Sequence, residues 1–475
     1  MNLKESRKLI QRIKREYEPY SESAKKGIRF LAHYVSNAYD HEGAYEDGTE
    51  PYYFELFTQR QINDIINNNY DIVGSFTYSF ISYLRPDDAE RNAIVEEFAN
   101  NKYIWVTIKD SAYVNDNDRY HIPGDFYLAC PASQKAYDEE GIPQNASVEL
   151  CWGSSNTSEV SERIQSSFDA LSQSNYPPND SIRDGEDEWE RKQFSENTDL
   201  TIKVFRLGMA NSTYIKYKNG ESLLIDCGKD TKYTKKGNMT AESYIVKKVK
   251  PTYLIISHWH QDHCALMSYL DVSQLKEVLV VGSPAPLNEY TILRNWSAKG
   301  IKVASFLPKS NPYYLNSVFP GISMYVGLGQ TPNLHDQLQK YVGTVDLPVQ
   351  KTLENNTGII VVVNWKNRTI IIPADVSYFN WPDPVKTLLP SAERIILPHH
   401  SCQVYGMLNV PVNTNPKRQV YISNYNKKFI DWPNSTGKNY HRSFVDVLLS
   451  DTSDAKHLYT DDIKNASVPY YMIII

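Results

Sequence analysis

No stretch of the sequence reaches the roughly 18 consecutive apolar residues that a membrane-spanning helix needs, so no membrane segment is expected. Cysteine is scarce. The five (Cys130, Cys151, Cys227, Cys264 and Cys402) are odd in number and widely spaced, and no C-x-x-C pair occurs. That excludes a zinc knuckle or a dithiol redox motif and fits a reduced setting. Positive charge is not in excess: the formal net charge is −6. A protein that coats nucleic acid by bulk electrostatics is thereby excluded, while a local basic groove is not. Residues Met1 to Glu5 are charged, with no apolar run behind them, so no secretory leader is expected and the chain reads as cytoplasmic. Internal repeats are absent as well.

What is present is globular in character, with 41% hydrophobic and 22% charged residues. A length of 475 residues exceeds one ordinary core and predicts two or three domains. Residues 1–175 read as an α+β domain, largely helical. Apolar spacing predicts helix over 2–40, 54–68, 87–100 and 157–173, and β-branched and aromatic runs predict strands over 103–108 and 147–152. Residues 176–199 are polar and acidic, with a Pro-Pro pair just ahead of the acidic cluster Asp184–Glu190, and read as a linker. From Leu200 the texture is α/β. Strand-like runs occur at 201–207, 213–217, 222–226, 252–257, 277–281, 358–364, 369–373 and 394–397, most of them continuously apolar, as expected for strands buried on both faces.

Histidine carries the chemical signal. Of the eleven, five fall in two short segments. One is Ser257-His258-Trp259-His260-Gln261-Asp262-His263, at the end of the run TYLIIS. Three imidazoles and a carboxylate in a single turn are costly to bury without a cation, and imidazole is the commonest metal-binding side chain. The other is Pro398-His399-His400-Ser401, again after a strand. Between them the strand IIIP runs into Ala374-Asp375, and Asp226 holds the same kind of position in Leu224-Ile225-Asp226-Cys227-Gly228. Each is a polar residue at the C-terminal end of an apolar strand, the edge on which α/β proteins build sites. Cys264 and Cys402 adjoin these motifs without a paired base in the sequence and read as packing residues.

Strand–Asp-x-Gly, strand–H-x-H-x-D-H, strand–Asp and strand–His, in this order, resemble the metallo-β-lactamase superfamily. The resemblance spans residues 200–475 and implies an αββα sandwich with one or two metal ions on one edge. Residues 354–363 (ENNTGIIVVV), the strand ending in Asp375, the LPHHSC segment and residues 420–433 (VYISNYNKKFIDWP) look more narrowly like the competence-type (ComEC-like) hydrolase domain. That branch has serine where Gly358 stands, glycine where Ala374 stands, and Gly-Ser where Ser401-Cys402 stands.

Carried over by position, the resemblance implies that His258 and His260 belong to one metal position. Asp262 and His263 belong to the other, Asp375 bridges, and His399 or His400 completes the second. Asn355 or Asn356 stands where many members place a further histidine ligand, and His335 reads as a surface residue. Asp226 is expected to orient a ligand imidazole. Zn²⁺ or Mn²⁺, one ion or two, is the implied cofactor. A divalent cation lowers the pKa of water to about 7, and Asp262 is placed to orient or deprotonate that water. The resemblance therefore points to hydrolysis of a phosphodiester, with nucleic acid or a nucleotide as substrate. The same site also supports hydrolysis of a small ester, thioester or lactone. A reading from another class is a sensing or defence module in which the N-terminal domain controls the hydrolase, binds a protein partner or mediates oligomerisation.

Overall fold

The computed structural model describes residues 26–36, 50–67, 77–84, 103–114, 120–129, 148–152, 200–207, 210–218, 220–228, 241–281, 287–306, 313–314, 321–328, 355–396, 415, 417–422, 456–459 and 469–474, together with the single positions 89, 97, 160, 162, 163 and 166. The chain forms two units, one of residues 1–171 with 284–299 and one of 172–283 with 300–475. Helices α1 (Gln59–Ile66), α2 (Ala241–Lys248), α3 (Gln261–Cys264), α4 (Leu287–Ala298) and α5 (Asp383–Leu388) punctuate the strands.

In the first unit, β1 (Ile28–Ser36), β2 (Glu50–Phe57), β3 (Thr77–Leu84), β4 (Tyr103–Asp110), β5 (Tyr120–Ala129) and β6 (Val148–Trp152) close into a barrel. Their order is β1-β2-β3-β5-β6-β4 and every pairing is antiparallel. The expectation of a largely helical domain is thus corrected: the described residues are mostly strand. The helix expected over 2–40 lies outside the described residues up to residue 25, and 28–36 is β1. The helix expected over 54–68 is strand as far as Phe57 and helix only from Gln59. The physical reason is burial on both faces. Phe30, Leu31 and Ala32 in β1, and Phe54, Leu56 and Phe57 in β2, are all buried, so period-2 alternation is missing and the runs mimic an apolar helical stripe. The helix start itself is written in the sequence. Thr58 and Gln61 form a reciprocal capping pair, Thr58 N–H donating to Gln61 Oε1 (2.8 Å) and Gln61 N–H to Thr58 Oγ1 (3.2 Å). The helices expected over 87–100 and 157–173, apart from those single positions, and the linker 176–199 lie outside the described residues.

The second unit stacks two seven-stranded mixed sheets. One contains β7 (Leu200–Phe205), β8 (Thr213–Tyr217), β9 (Ser222–Ile225), β10 (Tyr253–Ile256), β11 (Glu277–Val281), β12 (Lys302–Phe306) and β20 (Tyr470–Ile474), in the order β12-β11-β10-β9-β8-β7-β20. The other contains β13 (Tyr313–Tyr314), β14 (Ile322–Val326), β15 (Ile359–Trp365), β16 (Arg368–Ile372), β17 (Arg394–Ile396), β18 (Gln419–Ile422) and β19 (Lys456–Tyr459), in sequence order. The two sheets share a plan. Antiparallel strands lead to β9 in one and β16 in the other, and parallel strands follow from there. Their inner faces form one core, with Ile202, Ile215, Ile225 and Ile255 of one sheet among Ile359, Val361, Ile370 and Ile372 of the other. On the outer face of the second sheet, α5 and its flanking turns pack Trp381, Val385 and Leu389 against Ile360, Val362 and Ile371. Against the first sheet, Tyr244 of α2 meets Phe205 and Tyr470. Helix, sheet, sheet, helix is the layering, and an α/β class is what the structure shows. No helix among the described residues is long and apolar enough to cross a membrane.

Arg418, fully buried just before β18, ties this packing down. Its guanidinium donates to the carbonyls of Ala392 (2.9 Å), Pro390 (2.8 Å) and Leu389, in and just after the turn that follows α5. Burial pulls the Arg418 pKa down to about 10. Arg418→Met keeps the apolar stem but takes a charged donor from three carbonyls, of which that of Leu389 keeps the Ala392 N–H (3.2 Å). At about 1–3 kcal/mol for each orphaned group, less than additively, it should cost roughly 2–4 kcal/mol. Urea unfolding reads this as a lower midpoint; a change under about 0.5 kcal/mol, ordinary for a surface substitution, would show that the carbonyls find other donors.

Candidate metal centre

The candidate residues converge on one edge of the sandwich, at the C-terminal ends of β9, β10 and β16. Asp226 directly follows β9, Ser257 and His258 follow β10, and Asp375 comes three residues after β16. Two of these strand ends bend through left-handed backbone: Asp226 has φ 57° and Ala374 has φ 50°. Asp tolerates that region, whereas Ala strains in it. Glycine would adopt this turn before Asp375 without strain, and alanine is the less comfortable occupant.

After His258 the chain turns once, then enters the single turn of α3, where the His260 carbonyl accepts from His263 N–H (2.9 Å) and Cys264 N–H (3.1 Å). That turn is locked to the Asp-x-Gly segment. Cys227 N–H donates to His263 O (2.7 Å), Gly228 N–H to Asn211 O (3.0 Å) and Asn211 N–H to Asp262 O (2.9 Å). Cys264 is buried with its thiol on His260 O (3.1 Å), which fits the packing role expected of it.

The side chains form a continuous cluster. His263 Nε2 lies 3.1 Å from Asp375 Oδ1 and 3.6 Å from Asp262 Oδ2, and His258 Nε2 lies 3.6 Å from Asp375 Oδ2. The His258 ring stands 4.0 Å from that of His263 and 4.5 Å from that of His260, centre to centre. His258, His260, His263 and Asp375 are buried, while the Asp262 side chain keeps 28% exposure. Asp226 stands behind the cluster. Its Oδ2 faces His263 Nδ1 at 2.7 Å.

Burial and the neighbouring imidazoles His263 and His260 together push the His258 pKa well below its ordinary value. Burial opposes protonation of His263 too, but Asp375, Asp226 and Asp262 outweigh it and raise that pKa well above the ordinary value. Three carboxylates around one imidazole form a pocket of negative potential, an environment that favours a cation. Two donor sets emerge, His258/His260/Asp375 and Asp262/His263/Asp375, each with ligand atoms within 4.8 Å of one another and with Asp375 common to both. Tetrahedral ligands bound at about 2.0–2.2 Å stand roughly 3.3–3.6 Å apart, close to the separations seen here. His258 Nε2 is buried and has no hydrogen-bond partner among the described residues. The donors therefore fit divalent ions.

Asn355 is buried, its Oδ1 without a hydrogen-bond partner among the described residues. It connects to the site through the backbone: its carbonyl accepts from Gly358 N–H (3.1 Å), and Ile359 N–H donates to Ser257 O (3.0 Å). Asn356 is engaged elsewhere, accepting from Ser377 Oγ (2.8 Å). His335, His399, His400 and Cys402 lie outside the described residues. Two residues that sequence reasoning did not place in the site are in it. Ser257 stood inside the histidine motif and was read only as the strand's last residue. Asn211, in the β7–β8 turn, directs its amide to His263 Nε2 (3.2 Å) and Asp375 Oδ1 (3.4 Å). Nothing in its local sequence marked it beyond a turn at a strand end.

Comparison with known proteins bears on the same region. Residues 205–385 match the family model of the metallo-beta-lactamase superfamily, whose members are mostly metal-dependent hydrolases. No curated protein matches the chain significantly. Among solved structures, a mutant of the CmlA beta-hydroxylase aligns at 14% identity and TM-score 0.33 over 58% of this chain. This chain spans 54% of that protein. A Zn²⁺-bound PqqB from Methylobacterium extorquens aligns at 9% identity and TM-score 0.30, covering 57% of this chain and 99% of its own. A long-form RNase Z from yeast aligns at 12% identity and TM-score 0.27, covering 70% and 48%.

Proposed function

We propose that this chain, whose residues 205–385 match the metallo-beta-lactamase superfamily model, is a metal-dependent hydrolase that cleaves phosphodiesters. One observation carries the metal chemistry: two His/Asp donor sets share the buried carboxylate of Asp375 at a single strand-end edge. His258 and His260 with Asp375 would hold one ion, and Asp262 and His263 with Asp375 the other. His399 or His400 is proposed to complete the second set. A bound divalent cation, Zn²⁺ or Mn²⁺, supplies Lewis acidity and a water of lowered pKa. Asp262 is the one carboxylate of the cluster with solvent access, so it is placed to orient that water and take its proton. Asp226 holds the His263 ring from behind. The choice of a phosphodiester, with nucleic acid or a nucleotide as substrate, rests on the competence-type pattern of residues 354–363, Asp375, His399-His400 and 420–433.

The test is cleavage of linear and circular DNA, RNA and a chromogenic phosphodiester by the purified protein in Mn²⁺, in Zn²⁺ and in EDTA. Metal-dependent cleavage that is lost in Asp262→Asn supports the reading. Cleavage of esters, thioesters or lactones with no phosphodiester turnover would replace it with the small-molecule alternative.

A further inference from the structure

Ser257 is fully buried, and its hydroxyl oxygen lies close to three groups: Asp226 Oδ2 at 2.8 Å, His258 Nδ1 at 3.1 Å and His263 Nδ1 at 3.2 Å. A hydroxyl carries one hydrogen and two lone pairs, so the three contacts can be assigned. Both oxygens of Asp226 already face donors, Oδ1 the Ser257 N–H (2.7 Å) and Oδ2 the His263 Nδ1 (2.7 Å). Such a carboxylate has no hydrogen to give, and two oxygens 2.8 Å apart repel unless a hydrogen lies between them. The serine hydrogen therefore points at Asp226, in a charge-assisted bond. His263 gives its Nδ1 hydrogen to the nearer Asp226 oxygen. What remains on Ser257 Oγ is acceptor capacity, and His258 Nδ1–H is the donor that meets it. A neutral His258 with its hydrogen on Nδ1 presents a bare Nε2, the atom that faces Asp375 without a hydrogen-bond partner.

We propose that Ser257 is a positioning residue that relays the Asp226 carboxylate to His258, so that one buried acid selects the ligating nitrogen of both His258 and His263. Asp226 reaches His263 directly and His258 through one hydroxyl, and these two imidazoles belong to different donor sets around Asp375. The two sets are thus oriented from a single point behind the site. The inference rests on the metal-binding reading of the cluster, and it adds a residue that no motif in the sequence assigns.

Two measurements on the full chain test it. In metal-free protein labelled with ¹⁵N-histidine, long-range proton–nitrogen correlation should show His258 neutral with its hydrogen on Nδ1. In Ser257→Ala that preference should be lost, while His263 keeps its Nδ1 hydrogen on Asp226. Zn²⁺ titration against a chromophoric chelator should show one of the two sites weakened by about 10–100-fold in Ser257→Ala, the range typical of losing a partner behind a ligand. Ser257→Thr, which retains the hydroxyl, should recover most of it. A wild-type His258 protonated on Nε2 would overturn the proposal, as would a folded Ser257→Ala with unchanged affinity and an unchanged His258 tautomer. If the wild type binds neither Zn²⁺ nor Mn²⁺, the metal reading fails, and the His258 nitrogen assignment still decides the relay.

Discussion

Asp375→Asn leaves the chain folded and removes its metal-dependent hydrolysis. The asparagine fits the same space, but the charge common to both donor sets is gone, and one of its two terminal atoms is now an N–H₂ that points hydrogens where ligand lone pairs stood. Losing an outer partner of a ligand typically costs about 10–100-fold in metal affinity or activity. Here a ligand itself is lost, and from two positions at once. The expected fall in turnover is therefore roughly the square of that range, about 10²–10⁴-fold. Asn211, whose side-chain N–H donates to Asp375 Oδ1 at 3.4 Å, favours the orientation of the new amide that turns its oxygen to Asn211 and its N–H₂ to the other ligand position. Zn²⁺ titration and phosphodiester turnover measure the two consequences separately. Wild-type affinity in Asp375→Asn would mean that the two sets do not meet on this residue, and the proposed centre would have to be redrawn around His258, His260, Asp262 and His263.

Legibility in the sequence tracked how local each signal is. The strands of the second unit announced themselves: 213–217 and 277–281 coincide with β8 and β11, and 222–226, 252–257 and 369–373 lie within a residue of β9, β10 and β16 at each end. Strands buried on both faces, as β9, β10 and β11 are for nearly all their length, read as unbroken apolar runs. The expectations did not include β12 (KVASF), β13 (YY), β18 (QVYI) and β19 (KHLY), which are short or begin on a polar residue, nor β14 (ISMYV) and β20 (YYMII), although these two are largely apolar. The barrel was missed for the opposite reason, since β1 and β2 are apolar on both faces and their spacing imitates a helix. In the site, the H-x-H-x-D-H string was legible because its residues are neighbours in sequence and the turn of α3 needs no distant partner. The contribution of Asn211 was not legible. It arises only when the β7–β8 turn is laid against Asp262, and that contact spans fifty residues of chain. Ser257 lay in plain view, but a serine at a strand end acquires meaning only once Asp226 is placed 2.8 Å away.

Gly228→Ala should damage the same centre without touching a ligand. A Cβ at this position would stand 1.6 Å from the Asp262 carbonyl oxygen and 2.2 Å from its carbon, with His263 N at 3.0 Å. These are backbone atoms, so no side chain can swing aside. The segment carrying them is held by Cys227 N–H on His263 O, Gly228 N–H on Asn211 O and Asn211 N–H on Asp262 O, and relief of the clash must break some of these bonds. Overpacking of this kind costs roughly 1–3 kcal/mol, and a rigid backbone neighbour places it at the upper end. The larger effect is geometric. Separating the two segments enough to admit a methyl group displaces Asp262 and His263 by about an ångström, and a misplacement of that size costs on the order of 10²-fold in rate. Gly220→Ala is the control. Gly220 also holds a backbone that alanine dislikes, at φ +94°, but its Cβ would meet nothing within 4 Å. It should lose some stability to backbone strain and keep full Zn²⁺ affinity and turnover. Equal losses in the two variants would mean that glycine at 228 serves chain conformation alone. Loss of metal affinity confined to Gly228→Ala would show that the Asp-x-Gly turn acts as the wall against which the histidine segment is seated.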